Sequence, residues 1–138
     1  MEKAIFNHIE KMLRDYPKID SYIRQRENEI MYPYKPDRDE NIGGGRALNK
    51  RDESTELAAI TIADDKYIQG LKRNKEIISR CLKQSDSLTY EIMEQLYFKE
   101  FPFLTMTGIA QFNHVDRTVC SRRRTQLFEK IAEELGWV

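Results

Sequence analysis

Apolar residues recur at helical spacing through most of the chain, and the first such pattern covers about residues 2–16. Its apolar positions follow one another at steps of four, three, one and three; they are Ile5, Ile9, Met12, Leu13 and Tyr16. Pro17 stops this predicted helix. A similar stripe predicts a second helix over about residues 18–31, and the short connection indicates an antiparallel pair. The shared apolar stripe fits either a hydrophobic seam or a dimer surface.

The periodic pattern stops over residues 32–53, which contain two prolines and the run Gly43–Gly45. Consecutive glycines have no preferred backbone conformation, so this segment is predicted to be a flexible linker. A glycine-rich phosphate cradle requires a strand before it and a helix directly after it, and neither pattern is present. The basic residues beside the glycines are candidate phosphate contacts of a DNA-binding arm, with a solvated linker as the alternative; they are Arg46, Lys50 and Arg51.

Helical spacing resumes near Ser54, and the pattern predicts either one long helix or two helices that meet near Asp64. A further helix is predicted over 88–99, after a cap at Asp86 or Ser87. No segment shows the alternation of a strand. The predicted fold is therefore all-α, with an N-terminal helical pair (1–31), a linker (32–53) and a helical domain (54–138).

The segment 104–135 has the spacing of a helix-turn-helix. A short first helix, Thr107 to Phe112, is predicted to bury three residues: Ile109, Ala110 and Phe112. A break at Asn113 and His114 follows, and Asp116 is a predicted N-cap whose carboxylate can accept from the free N–H groups of the next helix. His114 fits either a phosphate contact or a polar residue of the turn.

The second helix of this motif is predicted to have one apolar and one polar face. The inward residues are Val119, Leu127, Ile131 and Leu135, and the outward ones are Arg117, Thr118, Ser121, Arg122 and Thr125. In a helix-turn-helix the outward positions near the start of the second helix face the base edges of the major groove. The run Arg122–Arg124 sweeps around the helix, so Arg122 is expected at the groove and Arg123 or Arg124 at the backbone. A solvated basic helix face is the alternative.

Composition and charge exclude several classes of protein function. The chain is 40% hydrophobic and 33% charged, which is typical of a helix-rich soluble protein, and no apolar run reaches the ~20 residues of a membrane span. The net charge is zero, but residues 104–128 hold four arginines against the single acid Asp116. Cys81 and Cys120 lack metal-ligand spacing, and His8 and His114 lie on unrelated segments. We therefore expect a cytoplasmic protein that is not an enzyme and has no metal, cofactor or membrane partner.

Three pieces of the chain are distinctive together: NIGGGR at 41–46, ELAAITIADDKYIQGLKRNKEII at 56–78 and LTMTGIAQFNHVDRTVCSRRRTQLFEKIAEELGW at 104–137. In this order they resemble the RinA-like late-gene transcriptional activators of phages and prophages in Gram-positive bacteria. The last piece is also similar to region 4 of bacterial sigma factors, which reads the −35 promoter element. The resemblance implies an activator of phage packaging and structural genes that binds double-stranded DNA in their late promoters, in the cytoplasm of the bacterial host cell.

The resemblance carries the DNA-reading role onto Arg117, Thr118, Ser121 and Arg122, and onto Arg123 or Arg124. The turn Asn113–Asp116 is shorter than the usual sigma pattern, Gly-Val-Ser-Arg-x-Thr-Val, so the arginine that faces the groove stays open. RNA polymerase and a second copy of the chain are the candidate protein partners. Two other interpretations remain: a small terminase-like DNA-packaging subunit, and a helical protein–protein adaptor of the transcription machinery.

Overall fold

A computed structural model of the chain describes residues 1–33 and 47–138, and for 47–54 it describes the backbone alone. All regular structure in these residues is helical, so the predicted all-α class is confirmed for them. The α-helices are α1 (Lys3–Asp15), α2 (Ile19–Met31), α3 (Ala47–Asp64), α4 (Lys66–Lys83), α5 (Ser87–Met93), α6 (Met106–Phe112) and α7 (Arg117–Leu135). A 3₁₀ turn, Tyr16–Lys18, follows α1, and a π-helical turn, Glu94–Phe98, follows α5.

The end of α3 and the start of α4 decide whether the stretch around Asp64 forms one long helix or two. Helix α3 ends at Asp64 and α4 begins at Lys66, so the long apolar stretch forms two helices. The carboxylate of Asp65 between them accepts from the backbone N–H of Ile68 at 3.0 Å, which caps α4. Helix α3 begins at Ala47, inside the segment predicted to be a linker, whereas residues 34–46 of that segment lie outside the described residues.

The chain divides into two compact units, Met1–Lys18 with Arg73–Val138 and the intervening Ile19–Lys72. These boundaries differ from the predicted segments 1–31, 32–53 and 54–138. The physical reason is that α1 shares its core with the C-terminal helices: the ring of Phe6 lies 4.7 Å from the ring of Phe128 in α7. Local periodicity identifies an apolar face but not the distant segment against which it packs.

The core of the first unit lies among α1, the end of α4, α5, α6 and α7. Its fully buried members are Ile9, Leu13, Ile78, Cys81, Ile92, Met93, Ile109, Cys120, Phe128, Ile131 and Ala132. Burial of these side chains supplies most of the driving force for folding this unit. Helices α5, α6 and α7 are thereby held in fixed positions around one another.

Few apolar side chains are buried among the described residues of the second unit. Of these residues, Ile19 and Ile23 of α2 and Ile68 of α4 are buried, whereas Leu57 and Ile60 of α3 are exposed. An ion pair joins α2 to the start of α4, because Arg26 Nη2 lies 3.0 Å from Asp65 Oδ2. The hydrogen bond from the backbone of Ile68 and that from Arg26 lower the pKa of Asp65. Across 1–33 and 47–138, no helix has the length and apolar content to cross a membrane.

Candidate nucleic-acid interface

Helix α6 begins with a side-chain cap and buries one narrow face. Thr105 Oγ1 accepts from the backbone N–H of Gly108 at 3.2 Å. Met106, Ile109 and Ala110 are buried at the i, i+3, i+4 positions. The prediction that Phe112 also faces the core is wrong, since its side chain is 74% exposed. Met106 takes the core position instead, and Phe112 falls on the next face of the helix.

The connection between α6 and α7 is a tight turn with its own hydrogen bonds. The side-chain amide of Asn113 donates to the carbonyl of Ile109 at 2.9 Å, and the N–H of Val115 donates to the carbonyl of Ala110 at 3.0 Å. His114 has a φ of 57°, a left-handed conformation that lets the chain reverse direction within a few residues. Its ring is therefore held at the exposed tip of the turn.

Helix α7 begins after Asp116, which occupies the predicted N-cap position with an extended φ of −76° and ψ of 146°. Its carboxylate accepts no capping hydrogen bond, so the predicted bond to the free N–H groups of α7 is absent. The carboxylate therefore acts on α7 through its charge at the positive end of the helix dipole. The buried face of α7 contains the predicted Leu127, Ile131 and Leu135, whereas Val119 is only half-buried.

The exposed start of α7 holds two arginines that are free of internal contacts. Arg117 and Arg122 are exposed, and neither has an ion pair or a side-chain hydrogen bond with the rest of residues 1–33 and 47–138. Thr118 is exposed beside them, and Ser121 and Thr125 are half-buried. The structure thus brings these five predicted residues onto the first turns of a single helix, with both guanidinium groups open to solvent.

Arg123 has a different environment. Its Nη1 lies 2.6 Å from Asp86 Oδ2, in an ion pair between α7 and the start of α5. The same carboxylate caps α5, because Asp86 Oδ1 accepts from the backbone N–H of Thr89 at 2.8 Å. Hydrogen bonds from Thr89, together with the positive charge of Arg123, lower the pKa of Asp86. Asp86, one of the two predicted candidates, is thus the cap of α5. Its ion pair with Arg123 was not predictable from sequence spacing.

Arg124 lies at the edge of the core. Its guanidinium carbon is 5.0 Å from the centre of the Phe6 ring, and its Nη1 donates to the Tyr97 hydroxyl at 3.4 Å. The Nε atom is buried and has no hydrogen-bond partner among the described residues. Tyr97 in turn donates to Glu10 at 2.7 Å, and burial together with this bond raises the pKa of Tyr97 to about 12. Arg124 therefore joins α7 to α1 and is withdrawn from the outer surface.

The three basic residues beside the glycines have no described side chain. Arg46 lies outside the described residues, and Lys50 and Arg51 fall within the bounds of α3 where only the backbone is described. Within the described ranges, no group of three or more His, Cys, Asp and Glu side chains is arranged to hold a metal ion. Cys81 and Cys120 are buried free thiols, and burial raises the pKa of each.

The fold and this surface define a class: a small chain, helical throughout the described regular structure, in which a tight turn leads into a helix with an exposed basic start. The chain belongs to the family described as "Protein of unknown function (DUF722)", whose model matches residues 5–133. Searches among curated proteins and among solved structures found no match.

Proposed function

We propose that this chain is a sequence-specific DNA-binding transcriptional activator of phage or prophage late genes. In this proposal α6 and α7 form a sigma region 4-like helix-turn-helix, and α7 is its recognition helix. One observation carries the proposal: Arg117, Thr118 and Arg122 are exposed at the start of α7, with both guanidinium groups unpaired within the described part of the chain. Arg123 and Arg124, by contrast, have an acidic and an aromatic partner within the protein.

Charge and geometry at the start of α7 suit duplex DNA. The free N–H groups of the first turn are the positive end of the helix dipole and attract phosphate. A guanidinium group matches both phosphate and the O6/N7 edge of guanine through two parallel hydrogen bonds. Towards its other end α7 becomes acidic, with Glu129, Glu133 and Glu134. We therefore propose that DNA is contacted by the first three turns alone.

The assignment to late genes rests on the resemblance of the sequence pieces at 41–46, 56–78 and 104–137 to the RinA-like activators. The resemblance leaves the N-terminal helices α1 and α2 as the proposed contacts for RNA polymerase or for a second copy of the chain. Phosphate contacts supply most of the affinity, and two or three side chains at the start of α7 supply the specificity.

The test begins by selecting bound sequences from a pool of random duplexes, so that the operator emerges from the selection itself. Fluorescence anisotropy then compares the selected site, phage late-promoter DNA and a scrambled duplex at two salt concentrations. If Arg122 reads a base, Arg122→Ala costs about 1–3 kcal/mol on the selected site and relaxes the preference at one position. Arg73→Ala is the matched control, because Arg73 is an exposed arginine of α4 and lies outside the proposed interface.

Other outcomes contradict the proposal in distinct ways. Equal, weak, salt-dependent binding to all duplexes would remove sequence-specific activation, and a large ring by light scattering would then favour the terminase-like packaging subunit. Absence of any salt-dependent DNA binding would favour the adaptor. An Arg122→Ala affinity equal to that of the unmodified protein would remove Arg122 from the recognition set and direct the next measurement to Arg117.

A further inference from the structure

The solvent face of α1 carries a stripe of four basic residues and one asparagine, which we call the α1 stripe. Its members follow one another at steps of four, four, three and four and are all exposed: Lys3, Asn7, Lys11, Arg14 and Lys18. The last lies in the 3₁₀ turn that follows α1. At 1.5 Å per residue the stripe spans about 22 Å, and its positions contain no acid. It lies opposite the face that buries Ile9 and Leu13.

A cleft of about 440 Å³ opens at the end of the α1 stripe. One wall is the segment 96–98 of the π-helical turn, a type of turn that is frequent at functional sites. Four charged side chains line the cleft: Arg14, Lys18, Lys99 and Glu100. Three cations against one acid leave a net charge of two positive units, so the cleft favours an anionic occupant.

The cations of the cleft remain available to a partner. Arg14 lies 3.9 Å from Glu10, and its guanidinium carbon lies 5.5 Å from the centre of the Tyr97 ring, but its side chain is still 60% exposed, and Glu10 already accepts the Tyr97 hydroxyl at 2.7 Å. Lys18 has no ion pair with the described part of the chain. The ammonium group of Lys99 rests 5.3 Å from the centre of the Phe103 ring, a contact that keeps it beside the aromatic surface.

Large apolar side chains stand exposed directly beside these cations. Phe101 is 81% exposed and Phe103 is 76% exposed, and the two flank Pro102, which lines the cleft. Exposed apolar side chains grouped in this way are typical of binding sites for proteins. A DNA duplex keeps its bases stacked inside and presents phosphate charge but no apolar group to cover phenylalanine. An acidic peptide that also carries apolar residues provides both.

The direction of the α1 stripe also separates it from the proposed DNA surface. Helices α1 and α7 bury their apolar faces in one core, where Phe6 meets Phe128. Their solvent faces therefore point away from that shared core, and we expect a duplex held by Arg117 and Arg122 to leave the α1 stripe uncovered.

We propose that the α1 stripe and its cleft form the docking site for an acidic, partly apolar peptide segment of a protein partner. Carboxylates of the segment pair with Lys11, Arg14 and Lys18, and an apolar side chain covers Phe101 and Phe103. The site does not require that the chain binds DNA.

The test measures fluorescence anisotropy of labelled synthetic peptides with the full-length chain. The first peptide mixes glutamate with leucine and phenylalanine, the second has serine in place of the apolar residues, and the third has lysine in place of glutamate. The first is expected to bind more tightly than the second, and the third not at all. The double substitution Lys11→Glu/Lys18→Glu should weaken the first peptide by about tenfold or more, because it turns attraction into repulsion at two positions.

Two matched variants make the result specific. Lys72→Glu/Lys83→Glu makes the same charge change at exposed lysines outside the α1 stripe and should leave peptide affinity within about twofold. Phe101→Ser/Phe103→Ser should weaken the first peptide but not the second. Equal binding of the first peptide to all of these variants would overturn the proposal, as would equal losses from the two charge reversals.

Duplex binding by the same variants distinguishes the docking site from the proposed function. Arg122→Ala should leave peptide affinity unchanged. At about 0.15 M salt, where charge effects fade beyond about 8 Å, Lys11→Glu/Lys18→Glu should leave duplex affinity within about twofold. A loss of duplex affinity as large as the loss of peptide affinity would make the α1 stripe a DNA surface and overturn the proposal. Peptide binding without any DNA binding would support the docking site and defeat the proposed activator.

Discussion

Arg123 and Asp86 form a 2.6 Å ion pair that ties α7 to the start of α5. This contact divides the arginine run into three environments, because Arg122 faces solvent and Arg124 stacks over Phe6. Consecutive residues on a helix are separated by ~100°, so three neighbouring arginines cannot share one face. The proposed recognition surface therefore depends on Arg122, together with Arg117, rather than on the whole run.

The ion pair and the cap at Asp86 should be separable by substitution. Asp86→Ala removes both and is expected to lower the free energy of unfolding by about 1 kcal/mol, the usual worth of an N-cap. Asp86→Asn keeps an acceptor for the backbone N–H of Thr89 and should lose less than half as much, because the exposed ion pair contributes little. Urea unfolding measures both changes. Equal losses from the two substitutions would show that the charge matters more than the cap.

The contribution of Asp86 should also depend on pH. Its pKa is lowered from the ordinary value of 3.8 in the folded chain, so the part of its stabilising effect that depends on the charge is fully present above that pH and is lost as the pH falls through the lowered pKa. The difference in unfolding free energy between the unmodified chain and Asp86→Ala should therefore shrink in acid. Urea unfolding at neutral pH and at about pH 3 measures it. A difference that stays constant would contradict this assignment.

Tyr97 should stabilise the fold through its bond to Glu10, with a dependence on alkaline pH. The ring is 5% exposed and its hydroxyl donates to Glu10 at 2.7 Å, so Tyr97→Phe is expected to cost about 1.5–3 kcal/mol at neutral pH. Its pKa is raised from 10.0 to about 12, so this contribution is full below pH 10 and is lost as the pH rises through 12. Urea unfolding along this pH range should show that the difference in unfolding free energy between the unmodified chain and Tyr97→Phe becomes smaller as the pH rises.

Tyr90 provides the control for that measurement. Its ring is 47% exposed, so Tyr90→Phe is expected to change the unfolding free energy by no more than about 0.5 kcal/mol. If Tyr97→Phe were as harmless as Tyr90→Phe, the bond to Glu10 would have no net effect on stability.

Much of the helical framework was predictable because amphipathic spacing and breaker residues are local signals. The ends of α1 and α2 follow from Pro17 and apolar periodicity. For the stretch around Asp64 and for the cap before α5 the sequence left two alternatives each, and the structure has two helices and a cap at Asp86. The packing of α1 was not predictable, since the contact of Phe6 with Phe128 joins distant segments. That contact depends on the tertiary fold.

The roles of the arginines were only partly predictable. Arg124 lies four residues from both Cys120 and Phe128, which are buried, so its helical position already indicates the edge of the core. The pairing of Arg123 depends on where α5 packs, which no local pattern specifies. Spacing identified the exposed side of α7 correctly at Arg117, Thr118 and Arg122. It failed at Phe112, where a short helix offers too few turns to define a face.

The outward position of Phe112 can be tested against a true core residue of the same helix. Phe112→Ser should change the unfolding free energy by no more than about 0.5 kcal/mol, since the ring is 74% exposed. Ile109→Ala should cost about 2–5 kcal/mol, because Ile109 is fully buried and its truncation leaves a cavity. Chemical denaturation gives the free energy of unfolding of both variants and shows which of the two side chains belongs to the core. A large loss from Phe112→Ser would place that ring in the core after all.

Two glycines should respond in opposite directions to replacement by alanine. Gly136 ends α7 in a left-handed conformation, with a φ of 81°, and the following N–H of Trp137 donates to the carbonyl of Ala132 at 2.9 Å. Gly136→Ala should therefore lower the free energy of unfolding by about 1 kcal/mol, because a Cβ is strained at that φ. Gly70 lies inside α4, and a Cβ there meets no atom within 4 Å. Gly70→Ala should raise stability by about 0.5–1 kcal/mol, because alanine loses less backbone entropy in a helix. Thermal and urea unfolding of the two variants, measured side by side, should show shifts of opposite sign, whereas shifts of the same sign would contradict one of the two backbone assignments.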